Sequence, residues 1–252
     1  MMIDIKTSPK DFVYMGDLGL FVSTSPLKVR HQINWFEATE ITHQLGLQLL
    51  TSAQCYKTRK YLIKHNYVNE DEYEKLIRYP EFTDSIIDFS WKVPILYEGN
   101  SVIRRDKGKG ADLRCMDPIV KRGKKTLLPW LPIAERGYIQ EFDEETMLPT
   151  KVGKEPNPDC QNAVLRYSGN LKQKLKGGIP PDYHNWNLIV VLRGGESVMG
   201  FPKDLTASNI SLKVQPSLSV DDTLVRFCSN EIPKQKNITF TIEDRTQLDL
   251  EI

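Results

Sequence analysis

The chain is poor in cysteine. Its 252 residues include four, Cys55, Cys115, Cys160 and Cys228, and no two form a Cys-x-x-Cys pair. A zinc site needs closely spaced ligands, so none is expected. Isolated cysteines of this kind suit free, buried thiols in a reducing compartment. The chain also lacks an apolar run near the ~18–20 residues that span a bilayer. Its first residues, "MMIDIKTSPKDF", contain no apolar stretch of the secretory type. The expected location is therefore cytoplasmic or virion, with no membrane partner. Charge of either sign is not in excess: 34 Lys and Arg face 33 Asp and Glu, so no global field draws the chain to nucleic acid. Phosphate-loop spacing, Gly-x₄-Gly-Lys-Ser/Thr, is missing, and so is a Gly-x-Ser-x-Gly nucleophile elbow.

The helix signal is concentrated early. In "INWFEATEITHQLGLQLLTSAQ", Ala38, Ile41 and Leu45 recur at helical spacing, and Gly46 follows as a left-handed stop. Asn34 with Glu37 has the spacing of a capping box, and Thr51 with Gln54 repeats it. The second helix is expected to run to about His65. A third, shorter one is expected from Asn69 to just before Pro80. Leu47 to Leu49 reads as a short strand between the first two.

Before the helices, "FVYMGDLGLFVSTS" reads as one or two strands broken at Gly16 and Gly19. After Pro80 the period changes to short alternating runs: "SIIDF", "VPILYEG", "SVIRR", "GYIQEF", "NLIVVLRGG", "ISLKVQP", "TLVRFCS" and "ITFTIE". Helices do not separate them, which excludes a doubly wound sheet. The fold class is α+β: two or three early helices, then a twisted antiparallel sheet with long irregular loops. A single domain over residues 1–252 is expected, with a core of about 12–230 and a C-terminal strand addition over 231–252.

The first segment resembles the formylglycine-generating-enzyme-like (sulfatase-modifying-factor) branch of the C-type-lectin-like fold. Trp35, Phe36, Ala38, Gly46, Leu49 and Thr51 fall in the matching places. Leu50 stands where that family has Pro, and Gln54 and Cys55 stand where it has Glu and Trp. Later segments are similar too. "PEFTD" matches a Glu-Trp-Thr segment with Phe82 for Trp. Arg193, Gly194 and Gly195 match an Arg-Gly-Gly-Ser motif. Arg226 and Phe227 match a terminal Phe-Arg in swapped order. The oxidases of the family bind copper through a closely spaced cysteine pair, which this chain lacks. The resemblance thus implies a viral or archaeal accessory protein without that activity, no cofactor and no catalytic residue.

Its late loops would form the binding face. The aromatic, Pro-rich "PPDYHNWN" then supplies the best ligand contacts: Tyr183, Asn185, Trp186 and Asn187, with Arg193 nearby in sequence. The partner would be a protein or a glycan. "LLPWLP" is a second aromatic loop of the same kind. Glu155-Pro156-Asn157 resembles the sugar-binding tripeptide of calcium-dependent lectins, but its usual Trp-Asn-Asp companion is here Trp186-Asn187-Leu188. A hard cation wants six to eight oxygens, so no metal site is expected there.

A different class of function rests on residues 104–125. Nine Lys or Arg and three Gly lie among three Asp, with Arg104, Arg105, Lys107 and Lys109 the densest group. Such a loop suits phosphates, although aromatics for base stacking are absent. The alternatives are therefore an enzyme or binding protein for an anionic or nucleic-acid partner, and a structural or assembly protein of a viral particle. Asp84 and Asp88 lie four apart, in a region expected to face solvent as often as a site.

Overall fold

The computed structural model describes residues 2–29, 33–68, 79–89, 91–99, 124–131, 136–160, 163–168, 188–194, 210–213 and 223–241. Helix α1 spans Trp35–Leu45 and α2 spans Ser52–Lys64. Both start as the sequence predicts. The Asn34 side chain accepts from the Glu37 amide, and the Glu37 carboxylate accepts from the Asn34 amide. Thr51 and Gln54 make the same reciprocal pair. Gly46 ends α1 at φ 69°, a left-handed backbone that glycine adopts without a Cβ clash. The third expected helix falls on residues 69–78, outside the described residues. Beyond residue 80 the described residues contain no α-helix.

Sixteen strands are described. Strand β1 (Met2–Thr7) pairs with β16 (Lys236–Thr241). A four-stranded sheet runs β2 (Phe12–Met15), β3 (Leu20–Ser23), β15 (Phe227–Ser229) and β5 (Gln48–Leu49). The ten-stranded main sheet has the order β10 (Pro149–Gly153), β9 (Arg136–Phe142), β11 (Val164–Ser168), β13 (Ile210–Lys213), β12 (Leu188–Arg193), β6 (Glu81–Asp88), β14 (Thr223–Val225) and β4 (Leu27–Val29). Strand β7 (Ile95–Glu98) also pairs with β6, and β8 (Lys124–Leu127) pairs with β7.

The α+β class holds and most pairings are antiparallel. Two are not: β11 with β13, and β14 with β6, run parallel. Each joins strands that are not consecutive in the chain, which a pure meander would not allow. The sequence reading also missed β1, β4, β8, β10 and β11. The stretch "TLVRFCS" is not one strand. It breaks at Arg226, where the chain leaves the main sheet as β14 and enters the small sheet as β15.

The core has three parts. One unites Trp35, Ala38, Ile41 and Leu45 of α1 with Phe82, Ile86, Val190 and Leu192, and includes Ile5 and Phe240 of the β1–β16 pair. A second, built on Ile87, Leu96, Ile139, Leu165, Ile189 and Val191, takes the residues of alternate parity from β6 and β12. The third is small: Met15, Leu20, Val22, Leu50, Cys55 and Cys228.

Strand β6 is where helices and sheet are joined. Its register with β12 slips between the Val190–Ile86 and Leu192–Phe82 pairs, so extra residues of β6 bulge there. The bulged residues carry the connections. The Trp35 indole donates to the Thr83 carbonyl at 2.8 Å. The Asp84 amide donates to the Leu50 carbonyl at 2.7 Å. The Ser52 amide donates to Ser85 Oγ at 2.7 Å. Trp35 is fully buried, and Phe36 meets it edge-on at 5.5 Å. The aromatic pair therefore fixes α1 to the sheet by area, and one indole N–H fixes its depth.

Candidate functional site

The most unusual chemistry in the described residues is a set of buried charges where β6 begins and β12 ends. Glu81 lies opposite Arg193 in the ladder and beside β14. Arg226 Nε donates to Glu81 Oε1 at 2.6 Å, and Arg59 Nε lies 3.2 Å from Oε2. All four residues are at most 1% exposed. Arg59 arrives from α2, whose buried stripe is Cys55, Thr58, Arg59 and Leu62. Arg226 Nη1 also donates to the Ser23 and Thr24 carbonyls, tying the break between β14 and β15 to the end of β3.

Arg193 belongs to a second, adjoining chain of polar groups. Its Nε donates to Ser52 Oγ at 2.9 Å and to the Ser52 carbonyl, its Nη2 donates to the Met147 carbonyl, and its guanidinium faces the Tyr56 ring. Ser85, bound to the Ser52 amide, donates its hydroxyl to Glu98 Oε1 at 2.5 Å. Burial lowers Arg193 to about 10, so it stays cationic at neutral pH. Burial holds the Glu98 carboxyl above its usual range, opposed by the Ser85 hydrogen bond and the charges of Lys124 and Arg193.

The thiols near this set are inert. Burial pushes Cys55 up to about 12, with the Glu81 carboxylate adding to it and the guanidinium groups opposing. Burial and Asp84 push Cys228 to about 12 as well. Both are free thiols, held as neutral S–H groups that neither attack nor ligate well at neutral pH.

The expected site residues separate into two places. Tyr183, Asn185, Trp186 and Asn187 lie outside the described residues, but the connection that holds them leaves β11 after Ser168 and enters β12 at Leu188. Both anchor points are at the sheet end where β6 finishes. Arg193 is at the other end of β12, about 17 Å away at ~3.3 Å per residue. It is fully buried and does not present a guanidinium to that edge. Arg104, Arg105, Lys107 and Lys109 are likewise outside the described residues. Their connection joins Gly99 to Lys124, at the Arg193 end. Of its basic residues, Lys124 pairs with Glu145 and Lys125 lies over the Tyr97 ring.

Where β6 finishes, Asp88 accepts from the Trp91 indole at 3.1 Å, and Trp91 is 60% exposed. Asp84 and Asp88, expected to face solvent as often as a site, are both buried, because β6 has neighbours on both sides and a core on both faces. In the "LLPWLP" segment Leu127 is exposed, but Leu128 is buried, and Trp130 and Leu131 cover the second core cluster. At Glu155-Pro156-Asn157 the Asn157 amide is engaged with backbone: Nδ2 donates to the Gln140 carbonyl and Oδ1 accepts from the Asp159 amide. That is the geometry of a turn. Among the described residues no group of three His, Cys, Asp or Glu converges on a metal position, and no helix is long and apolar enough to cross a membrane.

Sequence reasoning missed Arg59, Glu81, Ser52, Ser85 and Glu98. One signal was present: Arg59 falls at helical spacing from Cys55 and Leu62, on the apolar stripe of α2. Comparison of the chain with protein-family models, with curated proteins and with solved structures finds no match.

Proposed function

We propose that this chain is a non-catalytic recognition protein on a C-type-lectin-like scaffold. Its binding edge is the sheet end where β6 finishes and β12 begins, and its partner is a glycan or a protein. The scaffold reading is supported by convergence. The four segments that resemble the family are far apart in sequence, yet Trp35 bonds Thr83, Glu81 lies opposite Arg193, and Arg226 bonds Glu81. The binding edge rests on one observation. Trp91 stands 60% exposed, its indole oriented by Asp88, at the end where the connection bearing Tyr183 and Trp186 is anchored. An exposed aromatic in a short connection, its indole held by a buried strand residue, offers large contact area at small entropic cost.

The test is an immobilised saccharide and protein array probed with the purified chain, then with Trp91→Ala and with the double variant Tyr183→Ala, Trp186→Ala. Specific binding that both variants lose, with melting temperatures unchanged, is expected. Binding that both variants retain would sink the edge. If the retained binding also falls steeply with salt, released counterions identify a polyanion held by the Arg104–Lys125 segment instead.

A further inference from the structure

We infer that Arg59 and Arg226 together hold a small free oxyanion, of the size and charge of phosphate or sulfate. Arg226 Nε donates to Glu81 Oε1, and Arg59 Nε lies 3.2 Å from Oε2, an oxygen that is itself buried without a hydrogen-bond partner, so the two groups converge within the width of one carboxylate. Arg226 Nη1 is satisfied by the Ser23 and Thr24 carbonyls. The rest of the two forks is not. Arg59 Nη1, Arg59 Nη2 and Arg226 Nη2 are buried with no hydrogen-bond partner. A guanidinium brings five N–H donors and no acceptor, so these three nitrogens leave six N–H bonds unanswered.

Charge gives the second argument. Two cations share one carboxylate at exposures of 1% or less. Arg193, bonded to the Ser52 and Met147 oxygens, adds a third cation beside them. An unpaired buried charge is among the costliest features a fold can carry. Water would supply acceptors but leave the charge. An oxyanion supplies both, and guanidinium forks match its paired oxygens.

The approach of Arg59 is also built in. Gly194 has φ 81°, and a methyl group placed on it would coincide with Arg59 Nη1. The guanidinium thus occupies the side-chain space that glycine vacates. Because its donors are closed to bulk solvent, the site excludes the backbone of a polymer. It is separate from the recognition edge, at the opposite end of β6, and does not depend on that reading.

The experiment starts with the full chain freed of phosphate and sulfate by dialysis into a chloride buffer. Inorganic phosphate is then titrated at fixed ionic strength, followed by calorimetry and by thermal melting. One saturable site per chain is expected, with a midpoint that keeps rising with the logarithm of phosphate concentration. Arg59→Met should abolish the saturable component. Phosphate that binds Arg59→Met as well as the parent reports surface lysines and overturns the proposal, as does an absence of saturable binding to the parent. If Arg59→Met does not fold, crystals of the parent protein soaked in selenate decide. An anomalous selenium peak within hydrogen-bond reach of Arg59 and Arg226 supports the site. A peak elsewhere, or none, overturns it.

Discussion

Strands β6 and β12 lie side by side at the centre of the main sheet, and both are buried along their whole length. Their sequences are nearly opposite in kind. Strand β12 reads "LIVVLR" and β6 reads "EFTDSIID". In β12 burial is a matter of area: alternate residues feed two apolar clusters. In β6 the apolar residues do the same, but the polar ones fix other elements in place. Glu81 receives two arginines, Thr83 receives Trp35, Asp84 meets Leu50, and Ser85 links Ser52 to Glu98. Buried polar groups define a single arrangement where their partners are present, as they are at Thr83, Asp84 and Ser85. The two strands thus divide the labour. Strand β12 contributes mostly cohesion, with Arg193 at its end bonding Ser52 of α2, and β6 sets where α1, α2 and β15 attach.

Four substitutions test that division. The largest loss is expected for Glu81→Leu, which leaves two buried guanidinium groups without their carboxylate and should cost about 3–5 kcal/mol. Urea unfolding measures it, and a loss comparable to an exposed ion pair would mean that the cluster is solvated. Next is Leu192→Ala in β12, an apolar truncation in the first core cluster, expected to cost about 2–5 kcal/mol through lost transfer energy and the cavity left behind. If β12 contributes mostly cohesion, its unfolding should stay two-state, whereas Glu81→Leu should detach α2 and β15 first. Hydrogen exchange resolves that difference by element.

A smaller effect is expected for Trp35→Phe. It keeps most of the ring area but removes the donor to the Thr83 carbonyl, at a cost of about 1–3 kcal/mol. A neutral result would show that β6 does not need that bond to seat α1.

The smallest effect concerns pH. The folded carboxyl of Glu98 holds its proton above the ordinary carboxylate range. In the unfolded chain it ionises at the ordinary value. Its contribution is therefore complete below the unfolded value and is lost as pH rises through the folded one. Glu98→Gln, which still accepts from Ser85, has no such titration. Relative to that variant the parent should lose stability between mildly acidic and neutral pH, so the variant equals or exceeds it at pH 7. Paired melts from pH 4 to pH 7 check the slope, and two parallel curves would place Glu98 in water.

Much of the frame was legible in the sequence because its signals are local. Capping boxes at Asn34 and Thr51, the stop at Gly46 and the apolar run of β12 involve neighbours in the chain. What was not legible is decided by distant partners. Strand β10 opens with Pro149 and closes with Gly153, and β8 opens with Lys124 and Lys125, so neither reads as a strand alone. The parallel pairings depend on crossovers that no local pattern encodes. The arginine cluster was hidden for the same reason. Arg59, Glu81 and Arg226 look like solvated charges until the fold brings them together from three elements. The lectin-like tripeptide illustrates the converse. Glu155-Pro156-Asn157 has the right letters, but Gln140 and Asp159 engage its amide.

The β1–β16 ribbon bears on how the chain folds. Ile5 faces Ile238, and both Ile5 and Phe240 belong to the cluster that holds α1. Nearly the whole described chain lies between those partners. A ribosome releases residues in order, so β1 waits without its mate until residues 8–235 have been made. Pairings that distant raise contact order and slow folding. During that wait β1 is an unpaired edge, prone to join the wrong strand. Its alternation with Asp4 and Lys6 on the outward face is the kind of charge placement that discourages such mispairing before Lys236–Thr241 arrives.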